Sequence, residues 1–407
     1  MADALRFGRR TLIGGAAALA GSSTRARAEP GTVRIGVLTD ESGPYSGSGG
    51  AGSVAAARLA LRDFGPTVLG MPIEILHADT QNKADIASSI ARSWYDNGVD
   101  AITDLPVTPV ALAVQQAARE HSKTVMITAA AVSEFTSKLC TPVSSHWADD
   151  THAMALGTGK LLTEGGGKTW FFITVDFSFG VALQAEATKV IEAAGGKVIG
   201  GTRFPLGNTD FSSQIVQART SGAQVVGLAS VGNDQVNLIK QAAEFGLQVG
   251  GAQTASPQTL GAFLVYLTDI HSLGLEVAQG LCFPSCFYWD QSDGTRTFSK
   301  RFMAERNAMP TQNQANVYAS TLHFLRAMAQ AGTRDAVAVG KAMRAMPILF
   351  YGTDTTMRED GRVLHDLMLY QVKEPAESRS AWDLLARAGR IRAADAFLPM
   401  SQACTIT

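Results

Sequence analysis

The sequence predicts an α/β protein built as two lobes. Three observations carry this. Apolar strand-like runs alternate with helix-length segments from Val33 onward, and the alternation restarts after about Trp147. Near Gly280 the order changes, and helices follow one another without intervening strands. Continuous apolar strands separated by helices imply parallel sheets covered on both faces. The chain has 407 residues, 46% of them hydrophobic, with mean hydropathy +0.06, enough for two cores.

In the first lobe "VRIGVLT" reads as a strand and "SVAAARLALRDF" as a helix. "IEILHAD" is a strand and "ADIASSIARSWYDNG" a helix stopped at Gly98. "VDAITDL" and "KTVMITA" are strands around the helix "PVALAVQQAAREHS". In the second lobe the helices are "THAMALGTGKLLTEGG", "VALQAEATKVIEAAGG", "FSSQIVQARTSG" and "DQVNLIKQAAEFG". They alternate with the strands "KTWFFITVD", "KVIGGTRF", "AQVVGLAS" and "VGGAQTA". After "GLCFPSCFYWD" come "TRTFSKRFMAERN", "ANVYASTLHFLRAMAQAG" and "RDAVAVGKAMRAM", all helical. "REDGRVLHDLMLYQVKE" reads as a hairpin around Asp360-Gly361, and a tail begins near Pro375.

The first 28 residues read as a targeting segment. Arg9-Arg10 precedes the apolar "TLIGGAAALAG" and an Ala26-Arg27-Ala28 cleavage site, a pattern that resembles a bacterial twin-arginine export signal. The apolar stretch is shorter than the roughly 18 residues a membrane span needs. Without the segment the chain carries 30 basic and 35 acidic residues, net −5, with no basic run to hold nucleic acid. An oxidising compartment favours disulfides. Cys140, in the polar "SKLCTP", is expected to pair with Cys404 of the tail. Cys282 and Cys286 flank a short Phe283-Pro284-Ser285 turn and form a candidate second bridge. Cys282-x-x-x-Cys286 has no second metal-ligand pair in the sequence, so no metal is expected.

"GSGGAG", Gly47 to Gly52, matches the letters of a dinucleotide-binding fingerprint. That fingerprint sits in the tight turn directly after its strand. Here Gly47 follows the strand end at Thr39 by eight residues, with Pro44 and Tyr45 between. Gly167-Lys168-Thr169 imitates a phosphate loop, but Leu162 stands where the earlier glycine belongs. No nucleophile elbow or zinc-protease motif is present.

Several stretches in order resemble the periplasmic leucine/isoleucine/valine-type binding proteins of ABC importers, from about Val33 to Glu374. They are "VRIGVLTDESGPYS", "ADTQNKADIASSIARSWYDNGVDAI", "VDFSFG" (its Asp176 to Gly180 like the family's D-x-x-Y/F-G loop) and "LGNTDFSSQIVQARTSGAQVVGLASVGNDQVNLIKQAAEFGL". The resemblance implies two Rossmann-like lobes joined by a three-crossover hinge, without catalysis or cofactor. Residues 31–147 and 285–355 would form lobe 1, residues 148–284 and 356–374 lobe 2, and residues 375–407 a tail on lobe 1. It implies a monomer in the periplasm that captures a small molecule for an inner-membrane permease. The alternatives are an exported NAD(P)-dependent oxidoreductase and a ligand-sensing domain of a membrane receptor.

Ligands bind at the carboxyl ends of strands in open α/β sheets. The expected site residues are therefore Tyr45, Thr108, Ala130 and Ser133 from lobe 1. From lobe 2 come Phe177, Phe179, Asn233, Gln253 and Thr254, with Tyr288 from the return. Thr108, before Pro109, stands at a helix start that can both cap and meet a carboxylate. Amino-acid binders of the resembled family place an acid where this chain has Gln253-Thr254, and a hydroxyl where it has Val132. Asp234 is the nearest substitute acid. An organic acid lacking an α-ammonium group, aromatic in character, is the expected ligand.

Overall fold

The structure, a computed structural model, describes residues 31–249, 258–349 and 355–406. The twin-arginine segment at residues 1–28 lies outside them. The first lobe opens with β1 (Val33–Thr39), α1 (Gly50–Phe64), β2 (Thr67–Val68), β3 (Met71–Asp79) and α2 (Ala84–Asp96). It continues with β4 (Ala101–Asp104), α3 (Thr108–His121), β5 (Thr124–Ile127) and β6 (Ser144–His146). Their sheet has the order β2-β3-β1-β4-β5-β6. β1 lies parallel between two neighbours, with Ile35 opposite Ile75 on one side and Ala101 on the other. A strand paired on both edges and covered on both faces needs apolar residues at every position, which is why "VRIGVLT" shows no alternation.

The second lobe begins with α4 (Thr151–Met154), a π-helical stretch Ala155–Lys160 and α5 (Leu161–Glu164). Then follow β7 (Thr169–Val175), α6 (Ser178–Ala193), β8 (Lys197–Phe204), α7 (Ser212–Thr220), β9 (Val225–Ala229) and α8 (Asn233–Glu244). β10 (Gln248–Val249), β11 (Thr259–Ala262), α9 (Leu267–Leu273) and α10 (Leu275–Ala278) complete it. The sheet order is β10-β11-β9-β7-β8. The strand expected over "VGGAQTA" falls on residues 250–255, outside the described ones, beyond Val249.

β12 (Cys282–Ser285) leads back to α11 (Asp293–Arg306), α12 (Gln312–Ala331) and α13 (Ala336–Ala345). Phe298, Phe302, Tyr318, Leu322 and Phe324 from α11 and α12 share one apolar core with β1 and α1. The chain then passes through β13 (Thr356–Met357), β14 (Val363–Leu364), β15 (Leu367–Val372), β16 (Leu385–Ile391) and α14 (Ala393–Ala396).

Two expectations change here. The hairpin around Asp360-Gly361 is real but short, joining only Thr356–Met357 to Val363–Leu364. β15 instead pairs with β12 and β16 in a separate antiparallel sheet. The expected tail is thus partly a strand, and Leu384 and Leu385 are buried in the second-lobe core with Phe283 and Tyr370. Only farther on do Ala396 and Phe397 join the first-lobe core.

Cys140 and Cys404 form a disulfide, with Cα atoms 5.6 Å apart. Cys282 and Cys286 are free thiols, a correction to the second pairing. The run from Cys282 to Ser285 is extended strand, and four residues of strand span roughly 13 Å, too far to bridge. Peptide mapping without reductant should therefore return one linked pair, 140 with 404, and alkylated 282 and 286; a linked 282–286 peptide would contradict this arrangement.

Candidate functional site

The strand ends of the two sheets face each other across a narrow cleft that is partly open to solvent. Its first-lobe wall comes from the β1–α1 loop (Tyr45, Ser48, Gly49), the β4–α3 loop (Asp104, Pro106, Val107, Thr108) and Ala129–Ala131. The second lobe supplies Phe177, Phe179, Val231, Leu264 and Tyr266, and Asn313 enters from the start of α12. Four aromatic rings and several small apolar side chains thus surround a few polar groups.

The glycine-rich loop belongs to this wall and is held by α12. Thr311 Oγ1 donates to Ser48 O at 2.7 Å, and Gln314 Nε2 to Gly49 O at 3.0 Å. Gly50 N donates to Thr39 Oγ1 at 2.8 Å. A Cβ on Gly52 would stand 2.1 Å from Gln314 Nε2. The glycines therefore allow α12 to approach, and the loop's polar groups are directed at protein.

Thr108 begins α3, whose N-cap is Val107, so the expected capping role fails. Its Oγ1 is buried and completes no hydrogen bond among the described residues. A hydroxyl left so in a cavity wall, at a helix N-terminus, is suited to a ligand oxyanion. Ala130 lies in the wall, but its amide is not a ligand donor, because Ala130 N donates to Leu105 O at 3.1 Å. Its own carbonyl meets His146 Nε2 at 2.8 Å.

The strongest electrostatic feature escaped sequence reasoning. Asp104, at the end of β4, is 0% exposed, with the Thr39 and Ser53 hydroxyls beside its carboxylate. Its φ is +80°, followed by +69° at Leu105, a strained backbone of a kind that clusters at functional sites. Burial pushes its carboxyl up to about 6; the Thr39 and Ser53 hydroxyls oppose this and the Asp40 charge adds to it.

Tyr45 and Tyr266 are buried phenols, both pushed up chiefly by burial, and Tyr45 also by the Asp234 and Asp40 charges. Asn313 Nδ2 donates to Tyr266 Oη at 2.9 Å, a bond between lobes. Gly232, at φ +70°, packs against Tyr45 from the other side of the cleft. A Cβ there would lie 3.1 Å from Pro44 O and 3.2 Å from Tyr45 Cδ1. Gly232→Val should therefore hold the lobes apart and weaken ligand binding by at least about 10-fold, roughly 1.4 kcal/mol. Calorimetry showing unchanged affinity would remove this contact from the closed state.

Three other expected site residues lie elsewhere. Ser133 faces a separate cavity, its Oγ 3.2 Å from Thr151 Oγ1. Asn233 is exposed at the start of α8, and Val231 takes its place in the wall. Tyr288 is turned into the second-lobe core, where its Oη donates to Trp382 O at 3.1 Å; burial pushes its phenol up to about 12. Asp234, in the first turn of α8, accepts the Gly207 amide at 2.9 Å and so ties the β8–α7 loop to that helix rather than capping it. Gln253 and Thr254 lie outside the described residues. Tyr45, Phe177 and Phe179 line the cavity.

A family model described as periplasmic binding protein matches residues 32–379. Among solved structures, a periplasmic binding protein from Burkholderia mallei is 40% identical, covering 90% of this chain and 96% of that one, with a TM-score of 0.86. A branched chain amino acid ABC transporter periplasmic ligand-binding protein from Burkholderia xenovorans LB400 is 35% identical, covering 91% and 99%, with a TM-score of 0.78. An ABC transporter solute binding protein from R. palustris, in complex with benzoate, shares the fold at 16% identity, covering 92% and 100%, with a TM-score of 0.80. Among curated proteins, the Leu/Ile/Val-binding protein homolog 6 of Brucella melitensis is 25% identical over 232 residues, 56% of this chain, and the chain spans 58% of its length.

Proposed function

We infer from its family, the periplasmic binding proteins to which this chain belongs, that it is a receptor that captures a small aromatic carboxylate and hands it to an ABC importer. The observation that carries the ligand class is Thr108 Oγ1, buried with no hydrogen-bond partner among the described residues, in a cavity walled by Tyr45, Phe177, Phe179 and Tyr266. The helix dipole of α3 and its first-turn amides favour an oxyanion there. Rings on both lobes can cover the two faces of a flat ligand, each contributing apolar burial and offset stacking. The benzoate-bound neighbour from R. palustris is consistent with such a ligand on this fold. The twin-arginine leader, the periplasmic destination, the monomeric state and the permease partner all belong to this reading.

A second reading rests on Asp104. An anionic carboxylate in the wall could pair with an ammonium group, which would return the ligand to the amino acids. Titration calorimetry with benzoate, hydroxybenzoates, leucine and valine separates the two. Micromolar or tighter binding of an aromatic acid is expected. Binding of leucine or valine with no aromatic acid would overturn the first reading. Thr108→Ala should weaken the bound acid by about 1–3 kcal/mol, the cost of stranding a charge-assisted bond; unchanged affinity would place the carboxylate elsewhere.

A further inference from the structure

The chain passes between the lobes three times, and the three passes meet at one buried point. Asp149 lies on the first, between β6 and α4. Cys286 lies on the second, just past β12. His365 lies on the third, between β14 and β15. One donor atom from each residue falls within 4.8 Å of the others, and all three residues are buried. Asp149 Oδ1 faces His365 Nε2 at 3.5 Å. Asp149 Oδ2 accepts the Cys286 amide at 3.1 Å. His365 Nδ1 lies 3.4 Å from Asp366 O. A proton on Nδ1 donated to that carbonyl would aim the Nε2 lone pair into the cluster, the arrangement usual for a metal-bound imidazole. Asn316 Oδ1 stands 4.0 Å from Cys286 Sγ, in place to supply a fourth oxygen.

We propose that Asp149, Cys286 and His365 bind one divalent transition cation, zinc by the chemistry of the set, which ties the three crossovers of the hinge together. Carboxylate, thiolate and imidazole are the three side-chain ligands zinc accepts. Tetrahedral bonds of about 2.0–2.3 Å put ligand atoms roughly 3.3–3.8 Å apart, so no separation need close by more than about 1.5 Å.

Charge balance points the same way. The neighbourhood holds the fully buried cation Arg362 and two buried carboxylates, Asp149 and Asp150, while Asp360 and Asp366 are matched by Arg358 and Arg390, leaving one negative charge in excess when all are ionised. A dication that displaces the Cys286 proton to solvent adds one net positive charge and leaves the region neutral. The S–H bond breaks, the metal–sulfur bond forms, and no electron moves. Arg362 does not occupy the place, because its guanidinium is engaged elsewhere. It donates to Val363 O at 3.0 Å, meets His146 Nδ1 at 2.9 Å and lies 4.4 Å from the Phe397 ring centroid. Cys282, half-buried on β12, is outside the cluster.

Cobalt(II) reports this chemistry directly, because only a thiolate ligand gives a strong near-ultraviolet charge-transfer band. Chelator-stripped mature chain should be titrated natively and also refolded from urea with cobalt present. The expected result is a band saturating at one cobalt per chain, displaced by zinc, kept in Cys282→Ser and lost in Cys286→Ser. His365→Gln and Asp149→Asn should keep the band but raise the cobalt dissociation constant at least about 10-fold. Saturating zinc should raise the melting temperature of the native chain by about 2–5 °C. No band in the native chain by either route, or a band that survives Cys286→Ser, would overturn the proposal. Neither result depends on which solute fills the cleft.

Discussion

Arg362→Met should cost the metal-free chain about 3–5 kcal/mol of stability, read as a lowered urea midpoint at pH 8. Arg362 is 0% exposed and is the cation on which the hinge is assembled. From the end of the β13–β14 turn it donates to Val363 O, reaches His146 on β6 and binds Ala148 O on the first crossover. Its Nη1 lies 3.9 Å from Asp150 Oδ2. Burial lowers its pKa, while the Asp150 and Asp149 charges act to keep it ionised. Removing it leaves two buried carboxylates without their countercharge and two carbonyls, of Val363 and Ala148, without their donors, the case in which breaking a buried pair is most damaging. Arg362→Lys should recover only part of the loss, since a compact ammonium cannot reach partners spaced along the guanidinium's planar fork. The deficit should shrink at pH 5, because burial has already pushed Asp149 up to about 6 and a protonated carboxyl needs no countercharge. A loss below about 1 kcal/mol at pH 8 would show that the hinge does not depend on this cation.

The central first-lobe strands were legible because each is buried on both faces, so composition alone marks it. β1, β4 and β5 are near-continuous apolar runs in sequence and central strands in the sheet. The β12-β15-β16 sheet was not legible. Its strands come from residues 282–285, 367–372 and 385–391, and no local pattern announces a pairing across such separations. β16 also carries Arg387 and Arg390, exposed charges of the kind that blunt edge strands, and it reads as tail for that reason.

The same logic divides the site. Tyr45, Thr108, Phe177 and Phe179 follow strands directly, so strand ends place them near the cleft. Tyr288 carries an equally suggestive ring, but the β12–β15 pairing turns it inward against Tyr370. Asp104 reads as an ordinary strand-end acid. Its burial comes from the β1–α1 loop, brought over it by sheet order. A Cβ on Gly49 would lie 3.1 Å from Asp104 Oδ2, and nothing near residue 104 in sequence records that.

Asp104 should make ligand binding pH-dependent in a direction that names the ligand's charge. Its ordinary value of 3.8 is pushed up to about 6, first by burial, so the carboxyl is mostly neutral at pH 5 and mostly anionic at pH 8. A ligand carboxylate entering at pH 5 meets a neutral acid able to donate a hydrogen bond. At pH 8 it meets a like charge in a dry cleft. Affinity for an aromatic acid should therefore fall about 10–100-fold between pH 5 and pH 8. Affinity for an ammonium-bearing ligand should rise over the same interval. Asp104→Asn should flatten the profile in either case. Folding stability without ligand carries the matching sign. A carboxyl raised in the folded state holds its proton longer there than in the unfolded chain, so its contribution falls as pH rises from about 4 to 6. The penalty at pH 8 is at most about 3 kcal/mol for a shift near two units, and Asp104→Asn should be the more stable chain there. Asp149 and Asp269 are also raised by burial, so the informative quantity is the difference between native chain and variant. Parallel pH profiles for the two, in both affinity and urea midpoint, would mean that Asp104 neither titrates in this range nor faces the ligand.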